Sequence, residues 1–142
     1  MENSSGLHLR FYEVEPGEVR AEYTPPNHFQ GFPGVLHGGI IASMLDEACG
    51  RAHLGSGPPR FMYTAKLEIK YRKNVPIGAP LSLVGKARSS RGRVAESWAG
   101  VYNADGELLA EARGMLIDLP EGTLPSADLS ELGWKVYAEP SE

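Results

Sequence analysis

The chain predicts an α+β domain, with one long helix against an antiparallel β-sheet of five to six strands. Three observations carry that reading. Only one stretch, GFPGVLHGGIIASMLDEACG over residues 31–50, holds a helical pattern of any length. From residue 61 to residue 118 the chain mostly alternates apolar and polar residues or turns on glycine. At 142 residues the chain suits one domain with a real core and is too short for two comfortable ones. The whole chain, 1–142, is therefore read as one domain with an irregular tail at 119–142.

In order, Leu7 to Val14 and Glu18 to Thr24 read as two short strands joined by the turn Glu15-Pro16-Gly17. The segment TPPNHFQGFPG, 24–34, reads as a fixed loop and not a strand, because prolines and glycines crowd out β-formers. It delivers the chain to His37. In the helix Ile40, Ile41, Met44, Leu45, Ala48 and Cys49 form one apolar stripe. A second stripe, Gly39, Ser43, Asp46 and Gly50, is small except for one carboxylate. Glycines cost helix stability, so a stripe of small residues suits the close approach of another backbone or a ligand. The helix frays over His53 to Gly57, and Pro58-Pro59 stops it.

Beyond the helix, Phe61, Tyr63, Ala65, Leu67, Ile69 and Tyr71 alternate with polar neighbours, which predicts a long strand with one apolar face. Pro80 to Ser89, Arg93 to Tyr102 and Glu107 to Asp118 read as the remaining strands. The turns are Asn74 to Gly78, Ser90-Arg91-Gly92, and Asn103-Ala104-Asp105-Gly106 with glycine in the left-handed position. A short helix near Ser126 to Trp134 is expected in the tail.

Composition narrows the function. A formal charge of -4 argues against a nucleic-acid binder. One cysteine, Cys49, allows no internal disulfide and no cysteine cluster, and the four histidines lack metal-ligand spacing. No metal or cofactor is expected. The N-terminus shows no apolar leader and no run is long enough to span a bilayer, so a cytoplasmic protein without a membrane partner is expected.

The chemistry gathers at the helix. Its first turn offers unpaired N–H groups and the positive end of the macrodipole, with Gly38 and Gly39 leaving the entrance unobstructed. An oxyanion could rest on the Gly38 N–H; the alternative is that the glycines only permit a tight junction. Asp46 lies beside the small stripe, where a partly desolvated carboxylate serves as general base or nucleophile. The alternative is a solvated surface acid. Glu47 is turned 100° away, so the small stripe selects Asp46. His37 either orients the loop, holds a carbonyl or polarises a water, or else is a capping residue bonded to backbone. Cys49 falls on the apolar stripe as a core thiol. Gly38 and Asp46 are eight residues apart, roughly 12 Å along the axis. One carbonyl cannot touch both in one chain, so a reaction using both requires two chains with antiparallel helices, as in a symmetric homodimer.

The run His37-Gly38-Gly39 followed by Leu45-Asp46-Glu47-Ala48 resembles the signature of hotdog-fold thioesterases. More narrowly, it resembles the PaaI-like branch of the 4-hydroxybenzoyl-CoA thioesterase superfamily. The strand from Tyr63 to Tyr71 is similar to the family's strand after the helix, and the likeness runs from about Gly31 to Asp118. It implies a long helix wrapped by a curved sheet, and hydrolysis of an acyl-CoA thioester at the interface of a homodimer or dimer of dimers. It further implies Asp46 as base or nucleophile, the Gly38 amide as oxyanion donor, His37 at the thioester carbonyl and Thr64 assisting the water or the carboxylate. Many relatives carry an asparagine six residues before the histidine; here that position is Gly31, and Asn27 lies ten before. Thr64 has the polar parity of its strand, so a bulge or a neighbouring chain must bring it in. Gly39, Asn27 and the turn cations Arg91 and Arg93 complete the candidate substrate contacts, the arginines for the CoA phosphates. The competing readings are a hotdog hydratase or dehydratase and a non-catalytic acyl-CoA sensor.

Overall fold

A computed structural model of the chain describes residues 9–54, 60–119 and 137–138. In chain order the elements are β1 (Tyr12–Glu15), β2 (Glu18–Tyr23), a 3-10 turn (Asn27–Phe29), β3 (Gln30–Phe32) and β4 (Val35–Leu36). Then come α1 (Gly38–Leu54), β5 (Met62–Tyr71), β6 (Leu81–Arg91), β7 (Val94–Tyr102), β8 (Leu108–Asp118) and β9 (Tyr137–Ala138). Six strands form one antiparallel sheet in the order β5-β8-β7-β6-β2-β1, and the two-residue β9 adds in parallel beside β1. One helix against that sheet is the architecture expected from the sequence. No helix among the described residues is long and apolar enough to cross a membrane.

The helix lies across β6, β7 and β8 and turns its predicted stripe inward: Ile41, Met44, Leu45, Ala48 and Cys49 are buried, joined by Ala52 and Leu54. They pack with Val19, Leu81, Leu83, Ala99, Val101 and Ala112 of the sheet. Two sheet glycines decide how closely the layers meet. A Cβ on Gly85 of β6 would fall 2.3 Å from the Ala48 carbonyl oxygen, and one on Gly114 of β8 would fall 3.2 Å from Cys49 Sγ. The Ser97 hydroxyl donates to the Cys49 carbonyl at 2.8 Å, satisfying the one buried polar side chain among the described residues of the core. The close approach expected of the helix's own glycines is thus supplied on this side by the sheet's.

Two expectations are corrected. The segment 24–34 is not wholly loop: Gln30 to Leu36 folds back as the small β3–β4 hairpin, with Gly34 at φ 79° in its turn. A local composition poor in β-formers is overridden because two hydrogen bonds anchor the hairpin. Leu36 N–H donates to Val75 and His37 N–H to Phe29.

The second correction concerns β5. Its pairing with β8 slips between Thr64 and Lys66, a β-bulge at Ala65. One extra residue reverses the parity of the strand. Beyond the bulge Leu67 and Ile69 face the core as expected. Before it, Met62 is buried and Tyr63 is 46% exposed, so Phe61, Tyr63 and Ala65 do not share the face of Leu67, Ile69 and Tyr71. The turn at Asn103 to Gly106 forms as predicted, with Gly106 at φ 82° and the Asn103 side chain accepting from the Asp105 and Glu107 N–H groups. The helix expected near Ser126 to Trp134 lies outside the described residues.

Candidate active site

The helix mouth is built by the residues that precede it. The His37 N–H is held by the Phe29 carbonyl at 2.9 Å, and its own carbonyl accepts from the Ile40 and Ile41 N–H groups. Its ring folds over the first turn, and Nδ1 accepts from the Gly39 N–H at 2.8 Å. A neutral imidazole accepting at Nδ1 carries its proton on Nε2, so His37 offers an outward donor. With the Gly39 N–H taken, the exposed Gly38 N–H is the donor of the first turn without an acceptor among the described residues. A Cβ at Gly39 would press on the imidazole at 3.1 Å, so the ring would have to shift.

Gly31 stands close against the histidine. A Cβ at that position would sit 3.3 Å from His37 Cα, tighter than ordinary contact. Asn27 opens the preceding 3-10 turn, where its carbonyl accepts from the Gln30 N–H, and it is exposed.

Asp46 lies midway along α1 on the flank away from the buried stripe, partly exposed with Gly50, while Gly39 and Ser43 on the same flank are exposed. The Thr64 hydroxyl donates to Asp46 Oδ1 at 2.5 Å. Thr64 has polar parity in the sequence and reaches the helix because the bulge at Ala65 turns it there. Glu47, the competing acid, is bonded to Arg51 at 3.1 Å. Burial raises the Glu47 pKa, with Arg51 opposing the shift. Cys49 is fully buried, and desolvation, with a further contribution from the Asp46 charge, pushes its thiol up to about 12. Such a thiol is inert as a nucleophile near neutrality.

The sequence pattern does not mark Tyr71 as a site residue, yet it stands at the mouth. Its hydroxyl donates to the Gly38 carbonyl at 3.1 Å. Thr64 and Tyr71 are seven residues apart, an odd spacing, so an uninterrupted strand would present one or the other to the helix. The bulge lets β5 touch both the mouth and the middle of α1. No local signal marks Ala65 as the bulged residue.

The cations are spread more widely. Arg91 is exposed at the end of β6, and the Arg93 guanidinium donates to the Asp118 carbonyl at 2.8 Å. Arg72 and Lys73 are engaged by Glu111 and Glu107. On the sheet's outer face Lys66, Arg88 and Arg113 line a shallow groove of about 550 Å³ with Trp98 and Met115. That groove lies on the opposite side of the sheet from Asp46. The structure does not bring Arg91 or Arg93 into contact with Asp46 or Gly38.

This arrangement, an open helix mouth and an acid two turns on, sits on one helix held by a sheet. A protein-family model described as the thioesterase superfamily matches residues 33–110, and the chain belongs to that superfamily. Among curated relatives, acyl-coenzyme A thioesterase THEM4 of Xenopus laevis is 28% identical over 112 residues, covering 77% of this chain and 49% of that protein. The chain thus spans about half the length of that relative. Among solved structures, the PaaI protein from the phenylacetic acid degradation operon of Escherichia coli superposes with a TM-score of 0.73 at 17% identity, over 80% of this chain and 81% of that one. A hypothetical thioesterase with coenzyme A from Streptococcus pneumoniae gives 0.70 at 18% identity, over 79% and 86%. At these identities the two structures speak for the fold.

Proposed function

We propose that the chain hydrolyses an acyl-CoA thioester to the free acid and CoA, in a site shared by two subunits. The observation that carries this reading is the Asp46 carboxylate held by the Thr64 hydroxyl on the open flank of α1, two turns from a Gly38 N–H that has no acceptor among the described residues. Asp46 acts as general base on water or as nucleophile on the carbonyl. In the first case the water oxygen bonds to the carbonyl carbon, its proton passes to Asp46, the C–S bond breaks and the thiolate takes up the proton. The carbonyl oxygen, negative in between, rests on the Gly38 N–H at the helix mouth. One such donor is worth about 10²–10³ in rate. His37 Nε2–H supplies a further donor near that oxygen. Substrate-class support comes from the thioesterase relatives named above, one of which was crystallised with coenzyme A. Arg91 and Arg93 are the cations assigned to the CoA phosphates, Arg91 with its guanidinium exposed. Gly39 and Asn27 are the further residues assigned to substrate contact.

Two subunits are required because the Gly38 N–H and Asp46 stand roughly 12 Å apart on one helix. Strand β5 supports the pairing, since it is the sheet's edge and ten residues long. An unpaired edge of that length is a template for a second strand. Thr64 marks the level of Asp46 on β5, and Tyr71 marks the level of Gly38. An antiparallel β5–β5 pair with Thr64 opposite the partner's Tyr71, centred on Glu68 once the bulged Ala65 is skipped, brings the acid of each chain to the mouth of the other. Two equivalent sites result.

A panel of short, medium, long and aromatic acyl-CoAs with free-thiol detection tests the reaction. Absence of thiol release from all of them defeats it. Subunit mixing tests the sharing. Asp46→Asn lacks the acid, and Gly38→Pro lacks the N–H at a first-turn position that tolerates proline. Each alone is expected to be inactive. Mixed and re-assembled in equal amounts, they give half mixed dimers with one intact site each, and about a quarter of wild-type activity returns. If the mixture stays inactive while both variants remain folded dimers, the site is not shared.

A further inference from the structure

We infer that Tyr71 is a positioning residue for the oxyanion donor, acting through the Gly38–Gly39 peptide. This rests on the reading of Gly38 given above. Two consecutive glycines make a soft hinge, because neither carries a Cβ to limit rotation. The Gly38 N–H lies in the His37–Gly38 peptide plane, and the φ and ψ torsions of Gly38 join that plane to the Gly38–Gly39 unit. Both units are held. On the upstream side the His37 carbonyl is fixed by the Ile40 and Ile41 N–H groups. On the downstream side the Gly39 N–H is held by His37 Nδ1 at 2.8 Å and the Gly38 carbonyl by the Tyr71 hydroxyl at 3.1 Å. The Ser43 hydroxyl, donating to the Gly39 carbonyl at 3.1 Å, braces the next unit.

Of these braces Tyr71 alone comes from outside the helix and its leading residue. The others are local and travel with the helix; Tyr71 ties the mouth to the sheet. A preorganised donor stabilises charge that develops in the transition state because nothing must reorient as the reaction proceeds. Losing the clamp therefore lowers the rate of the chemical step and leaves substrate binding nearly intact. In the single chain Tyr71 is 55% exposed, and its hydroxyl reaches the Gly38 carbonyl from the edge strand of the sheet. A Cβ on Gly38 would come within 3.8 Å of that hydroxyl oxygen, so the tyrosine lies directly against the mouth.

The test is Tyr71→Phe, which removes one oxygen and keeps the ring, read in two ways on the full chain. Amide hydrogen exchange by NMR reports the clamp without reference to activity. The Gly39 amide is expected to exchange about tenfold faster, with Met44 to Ala48 in the same helix unchanged. Steady-state kinetics on the preferred acyl-CoA is expected to show kcat about tenfold lower with KM within twofold, since the loss is felt only in the transition state. The shape of the pH profile stays as it is in the wild type. Unchanged exchange overturns the clamp, and so does faster exchange with an unchanged kcat. A fall in kcat with unchanged exchange also overturns it, because the hydroxyl would then act on the substrate directly. If the wild-type protein turns over no thioester, the thioesterase reading fails, and the exchange measurement still decides whether Tyr71 holds the mouth.

Discussion

The two flanks of α1 differ in what their small atoms are for. On the inner flank the helix meets the sheet at backbone distance, and the glycines that permit it, Gly85 and Gly114, belong to the sheet. On the outer flank the glycines belong to the helix, and Gly39 and Ser43 there are exposed beside a partly exposed Asp46. The inner contact is closed and apolar, so any added atom costs stability. The outer flank is open and polar, so changes there are felt in chemistry. A stripe of small residues on a helix is therefore not evidence of packing by itself. Which flank it lies on decides.

Substitutions on each flank put this contrast at risk. The largest effect is expected from Asp46→Asn, with activity on an acyl-CoA falling about 10³-fold, in the range for a lost general base. Thermal unfolding should shift little, since a partly exposed change of this kind costs about 0.5 kcal/mol or less. A large loss of stability would place Asp46 with the inner flank. Gly85→Ala reverses the pattern. Its methyl meets the Ala48 carbonyl oxygen at 2.3 Å, so helix and sheet must part, at about 3 kcal/mol. Denaturant titration should show that loss, with kcat per folded molecule far less affected than in Asp46→Asn.

Thr64→Val is a finer cut. It keeps the shape and removes the hydroxyl that meets Asp46. A fall in kcat/KM of about tenfold is expected, with stability changed by less than about 1 kcal/mol. An unchanged rate would make the hydroxyl incidental. The smallest effect lies at the helix end. His53 is partly buried with Nε2 on the Glu96 carbonyl at 2.7 Å, and desolvation lowers its pKa from 6.5. A group with a depressed folded pKa contributes stability above the unfolded value and loses it as pH falls toward the folded one. Stability should decline from pH 7 downward through that window. His53→Gln should flatten this part of the curve in denaturant titrations at several pH values, without altering the pH profile of hydrolysis.

Much of the architecture was legible without coordinates. The apolar stripe of α1, the order of the main strands and the left-handed glycine at Gly106 depend on short-range patterning and backbone sterics, which a local window contains. The location of Asp46 off the buried stripe was also legible, because helical spacing alone sets the angle between residues 45 and 46.

Three features were decided by tertiary structure. The hairpin at Gln30 to Leu36 exists because Val75 and Phe29 accept its hydrogen bonds, against its composition. His37 became a brace on Gly39 because the preceding loop turns its ring inward. The bulge at Ala65 brought Thr64 and Tyr71 to the same helix, and it arises from the register of β8, contributed by residues some fifty positions away. Spacing along a strand determines which side chains can share a face only while its ladder is regular, and regularity belongs to the pair of strands rather than to either sequence.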